Sequence, residues 1–179
     1  MGLLVVMACA SSGGGGPNSA GQRAEARHAS YGNAGLETDG QFAGPVTWHD
    51  LSDSANVTWK FLPVAFSRLG LTITRYDSVT RTIDGERLSS RADFGGKPVA
   101  SLLNCGEVAG VPNVTRYDVD IRIRTALRGS DSESSIATVV SAAAKIGGTA
   151  SDSTLCGVSP DISARVTAAV AEAVAEATK

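Results

Sequence analysis

The chain is short of aromatic residues, 5% of 179, and has only two histidines. Its net charge is −2, and no run of apolar residues approaches the ~20 that a membrane-crossing helix needs. Each shortage closes off a class of function. Near-neutral charge with no basic cluster leaves no footprint for nucleic acid or for a polybasic contact with lipid headgroups. No Gly-x-Ser-x-Gly elbow is present for a serine hydrolase. His28 lies in a Gly/Ser-rich region, and His49 stands beside Asp50 ahead of the first expected helix, outside the expected sheet, so both read as solvated surface residues. There is no Cys-x-x-Cys, and neither histidine is close in sequence to Cys105 or Cys156, so no zinc site is expected. Gly95-Gly96-Lys97-Pro98 is no phosphate loop, because Arg91 stands at the first glycine position and Pro98 replaces Ser or Thr. These gaps point to a non-catalytic protein with no cofactor and no metal.

What is present begins at Leu3–Ser12, LLVVMACASS. The run Val6-Met7-Ala8-Cys9 resembles a bacterial lipobox, in which the chain is cut on the N-terminal side of a cysteine that carries the lipid, palmitate among its fatty chains. Met1-Gly2 carries no basic residue, and the apolar core is shorter than the ~7–15 residues of an export signal. Residues 1–8 therefore read as a partial signal peptide, with translation expected to start upstream. Ala10 and Ser11 follow the cysteine with no Asp, which by the same resemblance implies sorting to the outer membrane. Residues 9–44, rich in Gly, Ser, Ala and Asn, read as a disordered tether. The cysteine count is three. With Cys9 carrying lipid, Cys105 and Cys156, each followed by Gly, remain to pair in an oxidising compartment. Two buried free thiols are the alternative. In such a chain the glycosylation patterns Asn56-Val57-Thr58 and Asn113-Val114-Thr115 are chance matches.

Residues 45–179 read as one α+β domain. Trp59, Leu62, Phe66 and Leu69 form an apolar helical face over Ser52–Leu69, with Ser54 or Asn56 as N-cap and Gly70 beyond the C-terminus. Pro63 demands a kink or a later start. Leu71–Asp77 alternates as a half-buried strand. Arg81–Arg91 suggests a second strand pair or a hairpin around Asp84-Gly85, Phe94–Pro98 a loop, and Pro98–Asn104 a short helical turn. Val114–Arg128 has the clearest strand pattern. Tyr117, Val119, Ile121 and Ile123 share one face, and Arg116, Asp118, Asp120, Arg122 and Arg124 share the other. Ser135–Lys145 would pair with it, antiparallel, across a polar turn. Ile162, Val166, Val170 and Val174 give a final helix an apolar stripe.

Helices on one face of an antiparallel sheet form an α+β fold that resembles the helix-grip arrangement. Trp59…Leu62-Pro63…Leu69-Gly70, Asp77…Arg91, Leu103-Asn104-Cys105-Gly106 and Tyr117–Leu127 together resemble a group of uncharacterised bacterial lipoproteins and, more distantly, the BamC-type lipoproteins of the outer-membrane assembly machinery. The resemblance covers about Ala55–Lys179. The expectation is a lipid-anchored outer-membrane protein that faces the periplasm or the cell surface and presents its domain to an envelope partner. The alternating Arg/Asp face is the expected partner surface, although a solvated, ion-paired face is the simpler reading of it. The alternative function is a periplasmic small-ligand-binding module of helix-grip type.

Overall fold

The computed structural model describes residues 46–88, 93–145 and 153–179, all within one compact unit. The expected signal peptide (1–8) and tether (9–44), with Cys9 and His28, lie outside the described residues. The main sheet holds β1 (Trp48–Leu51), β2 (Thr72–Asp77), β3 (Thr82–Leu88), β4 (Asp118–Gly129), β5 (Ser134–Lys145) and β6 (Ser153–Leu155). Among the described residues three α-helices accompany it: α1 (Ala55–Arg68), the single turn α2 (Asn113–Arg116) and α3 (Asp161–Ala177). The strand order is β1-β5-β4-β3-β2, antiparallel throughout, with β6 pairing the far end of β5. The fold is α+β.

The long β4–β5 hairpin follows from its alternation. Val119, Ile121, Ile123 and Leu127 stand opposite Ala144, Ala142, Val140 and Ile136 on one face. That face packs on α1 and α3 to make the main core. The stripe Ile162, Val166, Val170 and Val174 of α3 is buried, as its spacing predicts. Ser54 caps α1, its hydroxyl accepting from Val57 N–H at 3.3 Å. At the other end Gly70 has φ 69°, Gly70 N–H bonds Ser67 O at 3.0 Å and Leu71 N–H bonds Phe66 O at 3.0 Å. This is a Schellman ending. Arg87 Nη1 adds a bond to Leu69 O at 3.0 Å. Pro63 lies inside the helix without ending it.

Several expectations give way to tertiary context. Trp59 sits at the flank of α1 and stacks on Tyr76, centroids 4.5 Å apart. Its place in the buried face is taken by Thr58, whose hydroxyl meets that of Ser134 at 2.9 Å, while Ser134 donates to Asp53 O at 2.8 Å. Burial is tolerated because every hydroxyl in that chain is paired. His49 lies on edge strand β1, opposite Ile136, and not outside the sheet. Leu71 is buried as the alternation predicts, but Ile73 is not: β2 is a sheet edge, exposed along Thr72–Tyr76, with a bulge between Ile73 and Arg75. The hairpin does not turn at Asp84-Gly85, which is mid-strand in β3; the turn is at residues 78–81. The segment expected as a loop is a small hairpin, Asp93–Phe94 with Lys97–Pro98, turning at Gly95-Gly96. The expected helical turn over Pro98–Asn104 shrinks to a 3-10 turn at Val99–Ser101, and Leu103–Asn104 pairs with Gly157–Val158.

The β2–β3 turn carries a pH dependence. Asp77 Oδ1 accepts from Thr80 N–H at 3.1 Å and from Val79 N–H at 2.9 Å, and Arg75 Nη2 lies 3.0 Å from Oδ2. The Thr80 hydrogen bonds, helped by Arg75 and Val79, hold the carboxyl below its ordinary range. A folded-state pKa below the unfolded one means that this stabilisation is present above about pH 4 and is lost as pH falls through the folded value. Thermal unfolding followed from pH 5 to pH 2 should therefore fall less steeply in Asp77→Asn than in the parent. Parallel curves would remove Asp77 from the acid response.

Candidate partner-binding face

The residues singled out as a partner face are only partly brought together. Asp118, Asp120, Arg122 and Arg124 are on β4 and share the face turned away from the helices. Arg116 is not among them. It ends α2, which forms because the chain is pinned just before it: Asn113 N–H bonds Gly106 O at 2.9 Å and Asn113 Nδ2 bonds Cys105 O at 3.0 Å. Arg116 Nη1 reaches Val108 O at 3.3 Å, and the strand begins only at Asp118. Asn113 is 5% exposed and its side-chain amide is committed to Cys105 O.

Arg124 is not a solvated cation. It is 6% exposed and forms a two-pronged pair with Asp84, Nε to Oδ1 and Nη2 to Oδ2 both at 2.8 Å. The register makes the pair: Asp84 stands directly opposite Arg124 across β3 and β4. One step along, Glu86 stands opposite Arg122, whose Nη2 also meets Asp120 at 3.2 Å. The charges of the face are thus arranged against one another, Asp84 and Glu86 on β3 opposite Arg124 and Arg122 on β4, with Asp120 beside Arg122 on β4 itself. Directly opposed opposite charges stabilise a sheet pair by a few tenths to about 1 kcal/mol. Toward β1 the face turns aromatic and small. Trp48 lies opposite Ala137, which lies opposite Ala126, and the Arg128 guanidinium sits 4.1 Å from the Trp48 ring centre.

Periodicity on one strand found Asp120, Arg122 and Arg124. It missed Asp84, which Asp84-Gly85 disguises as a turn, and Trp48 with Arg128, which become neighbours only through β-pairing. The opposed acid and base on β3 and β4 are visible in the sequence once a register is assumed.

Farther along β5 Cys105 and Cys156 form a disulfide, Cα atoms 4.0 Å apart. They continue the ladder in which Asn104 faces Gly157 and Leu103 faces Val158. Cys156 N–H bonds Ala142 O at 2.9 Å, so the crosslink ties the 99–105 segment to the rim of β5. Among the described residues no group of three or more His, Cys, Asp and Glu is placed to hold a metal ion, and no helix is long and apolar enough to cross a membrane.

No protein-family model matches the chain, and no curated protein matches it. Among solved structures it is similar to a DUF4468 family protein from Bacteroides ovatus, with a TM-score of 0.33 and 8% identity over 78% of this chain and 87% of that one.

Proposed function

We propose that this chain is a non-catalytic envelope lipoprotein, processed before Cys9, acylated there and held at the outer membrane, where it presents a helix-grip-like domain to an envelope partner. One observation carries the reading. The Cys105–Cys156 disulfide accounts for two of the three cysteines. The one that remains is the cysteine of Val6-Met7-Ala8-Cys9. A disulfide also belongs to an oxidising compartment, on the far side of an export step. The packing favours a presenter over a small-ligand pocket: Leu62, Phe66, Ile83, Ile123 and Ile162 fill the space between helices and sheet, each 0–1% exposed.

The test is Cys9→Ser in a chain given a complete export signal. Several acyl chains anchor a protein stably where one does so only marginally. The parent is expected in the membrane fraction and to incorporate labelled palmitate, with the variant soluble and unlabelled. A variant that still sediments with membranes would overturn the anchor.

A further inference from the structure

Two half-buried arginines grip the small hairpin Asp93–Pro98, and they do so by its backbone. Arg87 stands on the inner face of β3, opposite Ile121, where the sheet meets the end of α1. Arg165 stands on α3. Arg87 Nη1 donates to Asp93 O at 2.8 Å, and Arg165 Nη1 donates to Gly95 O. Between those two residues is Phe94. It is 1% exposed and part of the main core, whereas the other residues of the hairpin are exposed. The hairpin is one buried side chain on an otherwise exposed loop, seated like a plug.

The acids nearby are spent or turned away. Asp161, one turn before Arg165 on α3, pairs with Lys97 at 3.0 Å. Glu86 stands opposite Arg122 on the outer face. Asp93 is exposed, on the other side of its strand from Phe94. Among the described residues Arg165 Nε is buried and meets no acceptor. A guanidinium takes a carboxylate best along its Nε–Nη2 edge. Arg124 does so in this same protein, with both atoms 2.8 Å from Asp84. On Arg165 that edge has no such partner among the described residues. The hairpin is what covers it. A Cβ built on Gly95 would stand 3.5 Å from Arg165 Cβ, 3.4 Å from Arg165 Nη1 and 3.2 Å from Leu69 Cδ2. Nε lies between those two Arg165 atoms along the side chain. Lifting the hairpin therefore uncovers an empty guanidinium edge and, in the same step, the apolar place that Phe94 fills.

We infer that the hairpin Asp93–Pro98 is a displaceable plug over a binding site for a small apolar carboxylate, its hydrocarbon part about the size of a phenyl ring. The hydrocarbon takes the place of Phe94. The carboxylate takes the Nε–Nη2 edge of Arg165, with Arg87 as second cation once Asp93 O has left it. Two charged oxygens in the plane of the guanidinium outbid the single neutral carbonyl of Gly95. Nε is reached only from under the hairpin, which suits a small molecule and not an acid fixed on a protein surface. The inference goes beyond the presenter reading and holds whether or not Cys9 is acylated.

The full chain is titrated with hydrocinnamate, a phenyl ring on a short carboxylate, and followed by NMR at the Arg165 Nε–H and the hairpin amides. Saturable shifts are expected, with faster hydrogen exchange of the hairpin amides in the bound protein. Phe94→Ala should bind at least about tenfold tighter, because the parent is open for only a fraction of the time. Phe94→Leu repeats that comparison if Phe94→Ala does not fold. Arg165→Gln should bind at least about tenfold more weakly than the parent, the worth of one charged hydrogen-bonded pair. Hydrocinnamamide, of the same shape without the charge, should bind as weakly as the acid does to Arg165→Gln. No saturable binding to the parent would overturn the inference. So would acid and amide binding alike, which marks an apolar hole only, and so would binding that leaves hairpin exchange unchanged.

Discussion

Replacing both Cys105 and Cys156 with serine is expected to destabilise the domain by about 4 kcal/mol, the chain-entropy value for a loop of this length. The bond closes a separation of 51 residues. All of β4 and β5 lie inside that loop, so the unfolded chain loses much freedom when it is closed. Cys105 is 2% exposed and Asn113 donates to its carbonyl, so the serine variant also loses sulfur packing in the core. At about 4 °C per kcal/mol, the melting midpoint should fall by roughly 15 °C. The parent in excess reductant should fall by nearly the same amount. A double variant that melts within a few degrees of the oxidised parent would show that the main sheet holds the 99–105 segment without the crosslink.

The second large effect lies in the middle of β3. Glycine weakens a strand interior, and by propensity Gly85→Val should stabilise by up to about 1 kcal/mol. The structure reverses the sign. A Cβ at Gly85 would stand 2.8 Å from Cδ1 and 3.0 Å from Cε1 of Phe66, and 3.3 Å from Leu71 Cβ. Phe66 is fully buried between helix and sheet, so its ring has nowhere to turn. Overpacking of this kind costs about 1–3 kcal/mol, sometimes more. Gly85→Val is expected at the upper end of that range by urea denaturation, and Gly85→Ala lower. Phe66→Leu should relieve part of the Gly85→Ala penalty, because the two changes touch each other and do not add. Additive losses would mean that the helix shifts bodily and the ring contact is not the cause.

These two positions also show where a linear reading stops. Cys105 and Cys156 were legible as a pair because the third cysteine, Cys9, stands in a run that resembles a lipobox and left these two over. The β4–β5 hairpin and the stripe on α3 were legible because a period of two, or of three and four, survives in any context that buries one face. Asp84-Gly85 was not legible. The same dipeptide favours a turn locally, yet here the aspartate is drawn by Arg124 and the glycine is demanded by Phe66, partners 40 and 19 residues away. Tertiary contacts of that strength outweigh a local turn preference. Arg124 itself reads as surface charge on any one strand, and only the neighbouring strand makes it a buried ion pair. Thr58 goes inside beside Trp59 for a related reason: a hydroxyl pair with Ser134 lets the smaller, polar side chain take the interior place, while Trp59 packs on the margin of the core.

The bulge between Ile73 and Arg75 bears on behaviour in a crowd. A sheet edge is a template for joining with another edge, and proteins blunt it with irregular backbone and charge. β2 has both, a broken register at its centre and Arg75 beside it. A smooth edge strand would invite sheets to grow sideways from copy to copy, the more so the more crowded the copies. A chain that straightened this edge, by deleting Thr74 for example, would be the one to watch for fibres.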